Sequence, residues 1–148
     1  MKNQIAILLG ALLLGAPCVH AEEPENYIKY RQAMMQAIGG HSGAASQIVR
    51  GKVAPDGDLA IHANALAELS ASLTRLFPPG SDFGETRAKI EIWDNWEQFE
   101  KAADQAKTTT AAFAAAVALG DADRIGATFK DVGEACKGCH KEFREKDD

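Results

Sequence analysis

The sequence predicts an all-α chain folded as an antiparallel four-helix bundle, and three observations lead there. No alternating Val/Ile/Thr run is present, and no Asn-Gly or Asp-Gly pair joins two such runs. Four segments instead carry apolar residues at alternating steps of three and four, which keeps one face of each helix toward its neighbours. Pro, Gly and Asp separate them, and connections of about ten residues or fewer favour antiparallel neighbours.

The first helix is expected from about Pro24 to Arg50, with Pro24 suited to the opening turn. Its stripe is Ile28, Arg31, Met35, Ile38, Ser42, Ala45 and Val49, and Gly51 closes it. Pro55-Asp56-Gly57 reads as a turn, and Asp58 as the N-cap of the second helix. That helix carries Leu59, His62, Leu66, Leu69, Leu73 and Leu76 until Pro78-Pro79-Gly80 stops it. A loop from Ser81 to about Lys89 follows. The third seam is Ile92, Trp96, Phe99, Ala103, Ala106, Thr110, Phe113 and Val117, ended by Gly120. Its Ala-rich stretch, Ala111–Ala118, suggests a close helix–helix contact. Asp121 caps the fourth helix, whose seam is Ile125, Phe129, Val132, Cys136, Cys139 and Phe143.

The 148 residues suit one domain, and 46% apolar with 25% charged residues is the balance of a globular protein. A net charge of −5 argues against nucleic-acid binding, which needs a basic surface. The N-terminus reads as a secretory leader: Lys2, an apolar run over Ile5–Ala16, then Val19-His20-Ala21 before Glu22-Glu23. The run is shorter than the roughly 20 residues of a membrane span, so no anchor is expected in the mature chain. Cleavage near Ala21 divides the chain into a leader, 1–21, and one domain, 22–148, exported to the periplasm. The mature chain would have 127 residues, a charge of −6, and two cysteines in place of three. Two exported cysteines three apart have a local task, not a long-range disulfide one.

That task is written in Cys136-Lys137-Gly138-Cys139-His140. C-x-x-C-H is the attachment signature of c-type haem: both thiols add to the haem vinyl groups and the adjacent imidazole reaches the iron. On a helix the cysteines share a face, with His140 one turn beyond Cys136. A redox-active C-x-x-C is expected beside a βαβ pattern, and a structural zinc site would need a second Cys/His pair. Neither is visible, and a disulfide of that span would constrain little. One motif implies one covalent haem c, held through two thioethers.

The chain resembles the class II cytochromes c, which include the cytochromes c′. The stretches that carry the likeness are Tyr30-Arg31-Gln32-Ala33-Met34-Met35, Leu76-Phe77-Pro78 with Ile92-Trp93, and Cys136 through Arg144 near the C-terminus. The resemblance spans essentially the whole mature chain. It implies a distal residue four after Arg31, which is Met35, and a pairing of Arg31 with the haem propionates. Some members carry a Met that binds the iron. In cytochromes c′ the distal residue only crowds an open site, which takes up NO or CO.

Met34 and Met35 are the mature methionines, and Met35 falls on the inward stripe. Thioether/imidazole ligation raises the reduction potential and suits electron transfer. The run Met34 to Gly40 looks more like the low-spin members, so the expectation is an electron carrier with His140 and Met35 on the iron. The alternative is five-coordinate haem that binds NO or CO. Arg31, charged and on the inward stripe, needs a partner: the propionates, or solvent at the bundle rim. Arg144 reads as a helix-end charge, His62 as packing, and His41 as surface. Trp93, Trp96, Phe99 and Phe129 read as core or haem wall. No carboxylate pair, Ser/His/Asp set or phosphate loop suggests an enzyme. Partners would be redox proteins, docked through the acidic surface or through Lys137 and Lys141, and the resemblance implies a tendency to homodimerise.

Overall fold

The computed structural model describes residues 23–54 and 56–146. The leader expected over residues 1–21, Cys18 included, lies outside them, as does Pro55. Among the described residues are five α-helices and one 3-10 turn: α1 (Pro24–Val49), α2 (Asp58–Ser70), the turn Leu73–Leu76, α3 (Glu91–Asp94), α4 (Trp96–Leu119) and α5 (Ala122–Phe143). The four long helices form the antiparallel bundle, with α1 on α2, α2 on α4, α4 on α5, and α5 back on α1.

Three boundaries differ from the sequence expectation. Gly57, at φ 85°, caps α2, and Asp58 stands inside its first turn; a side chain is disfavoured at that left-handed φ and glycine is not. The second helix was expected to reach Leu76, but the α-helix ends at Ser70 and Leu73–Leu76 tightens into a 3-10 turn. The third is broken at Asn95, leaving α3 as a single turn before α4. Asp121 does cap α5, accepting the Arg124 backbone N–H at 3.1 Å.

The apolar seams meet in two clusters. One holds Ala45, Ala63, Leu66, Phe113 and Val132; the other holds Leu76, Phe77, Ile92, Phe99 and Phe143. Cys136 packs against the first and Cys139 against the second, so the cysteine motif lies where the core divides. Of the Ala-rich stretch, Ala116 is buried while Ala111, Ala112, Ala115 and Ala118 face outward, which restricts the expected close contact to one ridge.

After the 3-10 turn the chain crosses the bundle as a loop and pairs with the C-terminal tail. Lys89 N–H donates to Phe143 O (3.1 Å) and Glu145 N–H to Arg87 O (2.8 Å). Gly84 in this loop has φ 108°, and a Cβ there would stand 3.3 Å from Ile28 Cδ1. The backbone conformation favours glycine, and a Cβ would also press the Ile28 methyl by a few tenths of an ångström.

Candidate haem site

A cavity of about 560 Å³ lies between the two clusters. Cys136, Cys139, His140 and Phe143 of α5 line it, facing Arg31, Met35, Ile38 and Ser42 of α1. Small side chains open the space: Ala103 and Ala106 on α4, Ser70 on α2 and Gly39 on α1. Aromatic walls come from Phe77, Phe99 and Phe143. Of the four residues read as core or haem wall, Phe99 lines the cavity, while Trp93, Trp96 and Phe129 pack against the core clusters, and Trp93 Nε1–H donates to Pro78 O at 3.2 Å. Phe77 was missed, because it follows the last helical step of its segment and no periodicity reports on it.

Both thiols are free and half-buried. Burial pushes Cys136 up, against an opposing backbone hydrogen bond. Burial, then Cys136 and Glu142, push Cys139 up to about 11. A redox-active C-x-x-C has the opposite character, a lowered thiol pKa. The His140 imidazole is held below its ordinary value by burial and then by the positive charges of Arg144 and Arg87. It is therefore neutral at pH 7, the form that offers a lone pair to a metal.

Arg31 is 3% exposed, so it does not snorkel at the rim. Nη1 donates to Leu76 O (3.3 Å) and Ser81 Oγ (3.1 Å); Nη2 donates to Ser81 O (3.0 Å) and Thr86 Oγ1 (2.9 Å). Its guanidinium lies 4.7 Å from the Phe77 ring centroid and 5.7 Å from that of Trp93. Gln32 adds a bond from Nε2 to Glu85 O at 2.8 Å. Arg31 thus fastens the loop to α1. Burial lowers its pKa, and no carboxylate among the described residues offsets the charge.

Met34 and Met35 are both half-buried against the second cluster, but of the two Met35 lines the cavity. The two histidines set aside as packing and surface are in fact partners, with Nδ1 of His41 and His62 3.0 Å apart. Neither lines the cavity. Their meeting depends on how α1 and α2 pack, which spacing within either helix does not report.

These residues fit a covalently attached haem. Two thiols share one apolar cavity with a neutral imidazole, and a buried cation beside it lacks a counter-charge that propionates would supply. Fold and site define a c-type haem protein of the four-helix kind. The chain belongs to the cytochrome c′ family: the family described as Cytochrome C' matches residues 26–144. Cytochrome c′ of Pararhodospirillum photometricum is 36% identical over 123 residues, covering 82% of this chain and 98% of that protein. The crystal structure of cytochrome c′ from Rubrivivax gelatinosus superposes with a TM-score of 0.79 at 33% identity, covering 84% of this chain and 98% of that one. A nitric oxide complex of a mutant cytochrome c′ from Alcaligenes xylosoxidans matches with a TM-score of 0.79 at 31% identity, covering 85% and 98%.

The protein accordingly binds one covalent c-type haem through Cys136 and Cys139. The comparisons also correct the functional expectation. Relatives carry the name cytochrome c′, and a neighbour is seen with nitric oxide, so the electron carrier with His140 and Met35 on the iron gives way to the gas-binding alternative. Among the described residues no helix is long and apolar enough to cross a membrane.

Proposed function

We propose that the protein is an exported, periplasmic haem protein that binds nitric oxide or carbon monoxide, with the haem iron five-coordinate before the gas arrives. Haem supplies an iron able to take a diatomic ligand at an open axial position. The observation that carries the reading is the nitric oxide complex of a neighbour sharing this fold at 31% identity. The cavity supports it: apart from Arg31, whose Nη donors are engaged by the loop, α1 lines it with neutral groups, Gln32, Met35, Gln36, Ile38, Gly39 and Ser42. Such a wall suits a small uncharged ligand.

Each protein group has a role in this reading. Cys136 and Cys139 would anchor the haem through thioethers, and His140, kept neutral, would offer its imidazole lone pair to the iron. Met35 crowds the distal side and sets how readily a gas enters. Arg31 keeps the loop closed and places positive charge toward the propionates. The reading is of a binding protein and not an enzyme. Export follows from the leader, cleaved near Ala21 ahead of the domain 22–148. Exposed Lys137 and Lys141 offer a docking surface to the protein that reduces the haem.

Met35→Ala tests the distal role. Removing a steric cost of about 1.4 kcal/mol corresponds to a tenfold rate change. Flash photolysis should therefore show CO rebinding to the reduced variant about tenfold faster or more, with the spin state of the unliganded protein unchanged. A switch from low-spin to high-spin spectra on this substitution would overturn the assignment.

A further inference from the structure

The half-buried imidazoles of His41 on α1 and His62 on α2 meet outside the haem cavity, Nδ1 to Nδ1 at 3.0 Å. Their ring centroids are 5.2 Å apart and the planes are inclined by 56°. A neutral pair at this distance has one Nδ1–H donating to the other Nδ1 lone pair, so both Nδ1 atoms face the space between them. The scaffold beneath is rigid and small. Ala45, one turn after His41, and Ala63, next to His62, are fully buried in the same cluster and let the helices approach closely.

That spacing is also the spacing of two ligands on one metal ion. With metal–nitrogen bonds of about 2.0–2.1 Å, neighbouring ligands at a right angle stand about 2.9 Å apart and tetrahedral ones about 3.4 Å. The observed 3.0 Å lies close to the right-angle value. Tetragonal coordination by nitrogen and oxygen is the preference of Cu(II) and Ni(II), and copper heads the affinity order of divalent ions at nitrogen sites.

We propose that His41 and His62 form a two-imidazole site for a divalent transition metal, Cu(II) foremost, with water in the remaining positions. Binding moves the one Nδ1 proton to Nε2 through solvent. Each ring then keeps a single proton and both Nδ1 lone pairs go to the metal, with no net proton release from the neutral pair. Asp58, exposed and one turn before His62, adds negative charge on the same face of α2.

The test is a Cu(II) titration of the ferric, haem-loaded protein in non-chelating buffer, followed by electron paramagnetic resonance. The wild type should take up one equivalent with splitting from two nitrogens. His41→Gln and His62→Gln should each weaken binding about tenfold or more, the loss typical when part of a metal's supporting set is removed. Unchanged haem spectra and helical circular dichroism certify the fold of each variant. A second measurement needs no variant: Cu(II) should protect both imidazoles of the wild type from acylation by diethyl pyrocarbonate, read by peptide mass spectrometry. Copper binding that persists unweakened in both variants, or equal acylation with and without copper, would refute the site.

Discussion

Replacing both Cys136 and Cys139 with serine is expected to abolish covalent haem and to remove the cooperative fold along with it. The two apolar clusters do not close on each other; they meet across a cavity of about 560 Å³ lined by both cysteines. Without haem the apolar walls of that space face water and lose the burial the cofactor would supply, at about 25 cal/mol per Å² of apolar surface. Domains of this size are stable by about 5–15 kcal/mol in total. The variant must therefore collapse onto the empty space or unfold. Haem staining on a denaturing gel should be negative, and the far-ultraviolet thermal transition should be broad or shifted far down. Retention of haem through denaturation, or a melt as sharp as the wild type's, would contradict this.

Arg31→Met should be the most damaging single substitution outside the haem attachment motif. The new side chain keeps much of the length and apolar character but no donor. Leu76 O, Ser81 O, Ser81 Oγ and Thr86 Oγ1 would all lose their guanidinium contact at once. Each buried acceptor left unsatisfied costs about 1–3 kcal/mol, less where water or a neighbour steps in, so a loss of about 3–5 kcal/mol is expected. For a domain this size that lowers the melting temperature by about 10–20 °C. Limited proteolysis should then cut the loop near exposed Phe83 sooner than in the wild type. Arg31→Lys should recover part of the loss, since an ammonium keeps the charge and up to three donors but not the planar fork. A melt for Arg31→Met within experimental error of the wild type's would show that the loop is held by other contacts.

What the sequence made legible was whatever depends on neighbours within one helix. The alternation of three and four located the long helices, aimed Met35 inward, and put Cys136 and Cys139 on one face. The break after Ser70 and the stop at Asn95 were not legible, because leucine spacing continues through the first and Trp96 continues the seam through the second. Long-range partners were equally hidden. Arg31 stood on an inward stripe and so needed partners, but those it has lie in the 3-10 turn and the loop after it, 45 to 55 residues away. The meeting of His41 and His62 depends on the packing of two helices, and neither residue's position within its own helix foretold it. Methionine was the hardest to read: a thioether serves as iron ligand or as apolar wall, and residue type does not choose between them.

The central claim is an iron left open opposite His140, and optical spectra of the untreated wild-type protein test it most directly. The ferric form should be high-spin, and the dithionite-reduced form should take up one equivalent of carbon monoxide at neutral pH without prior denaturation. A low-spin ferric spectrum with the far-red band of thioether ligation, together with no carbon monoxide uptake, would contradict the account.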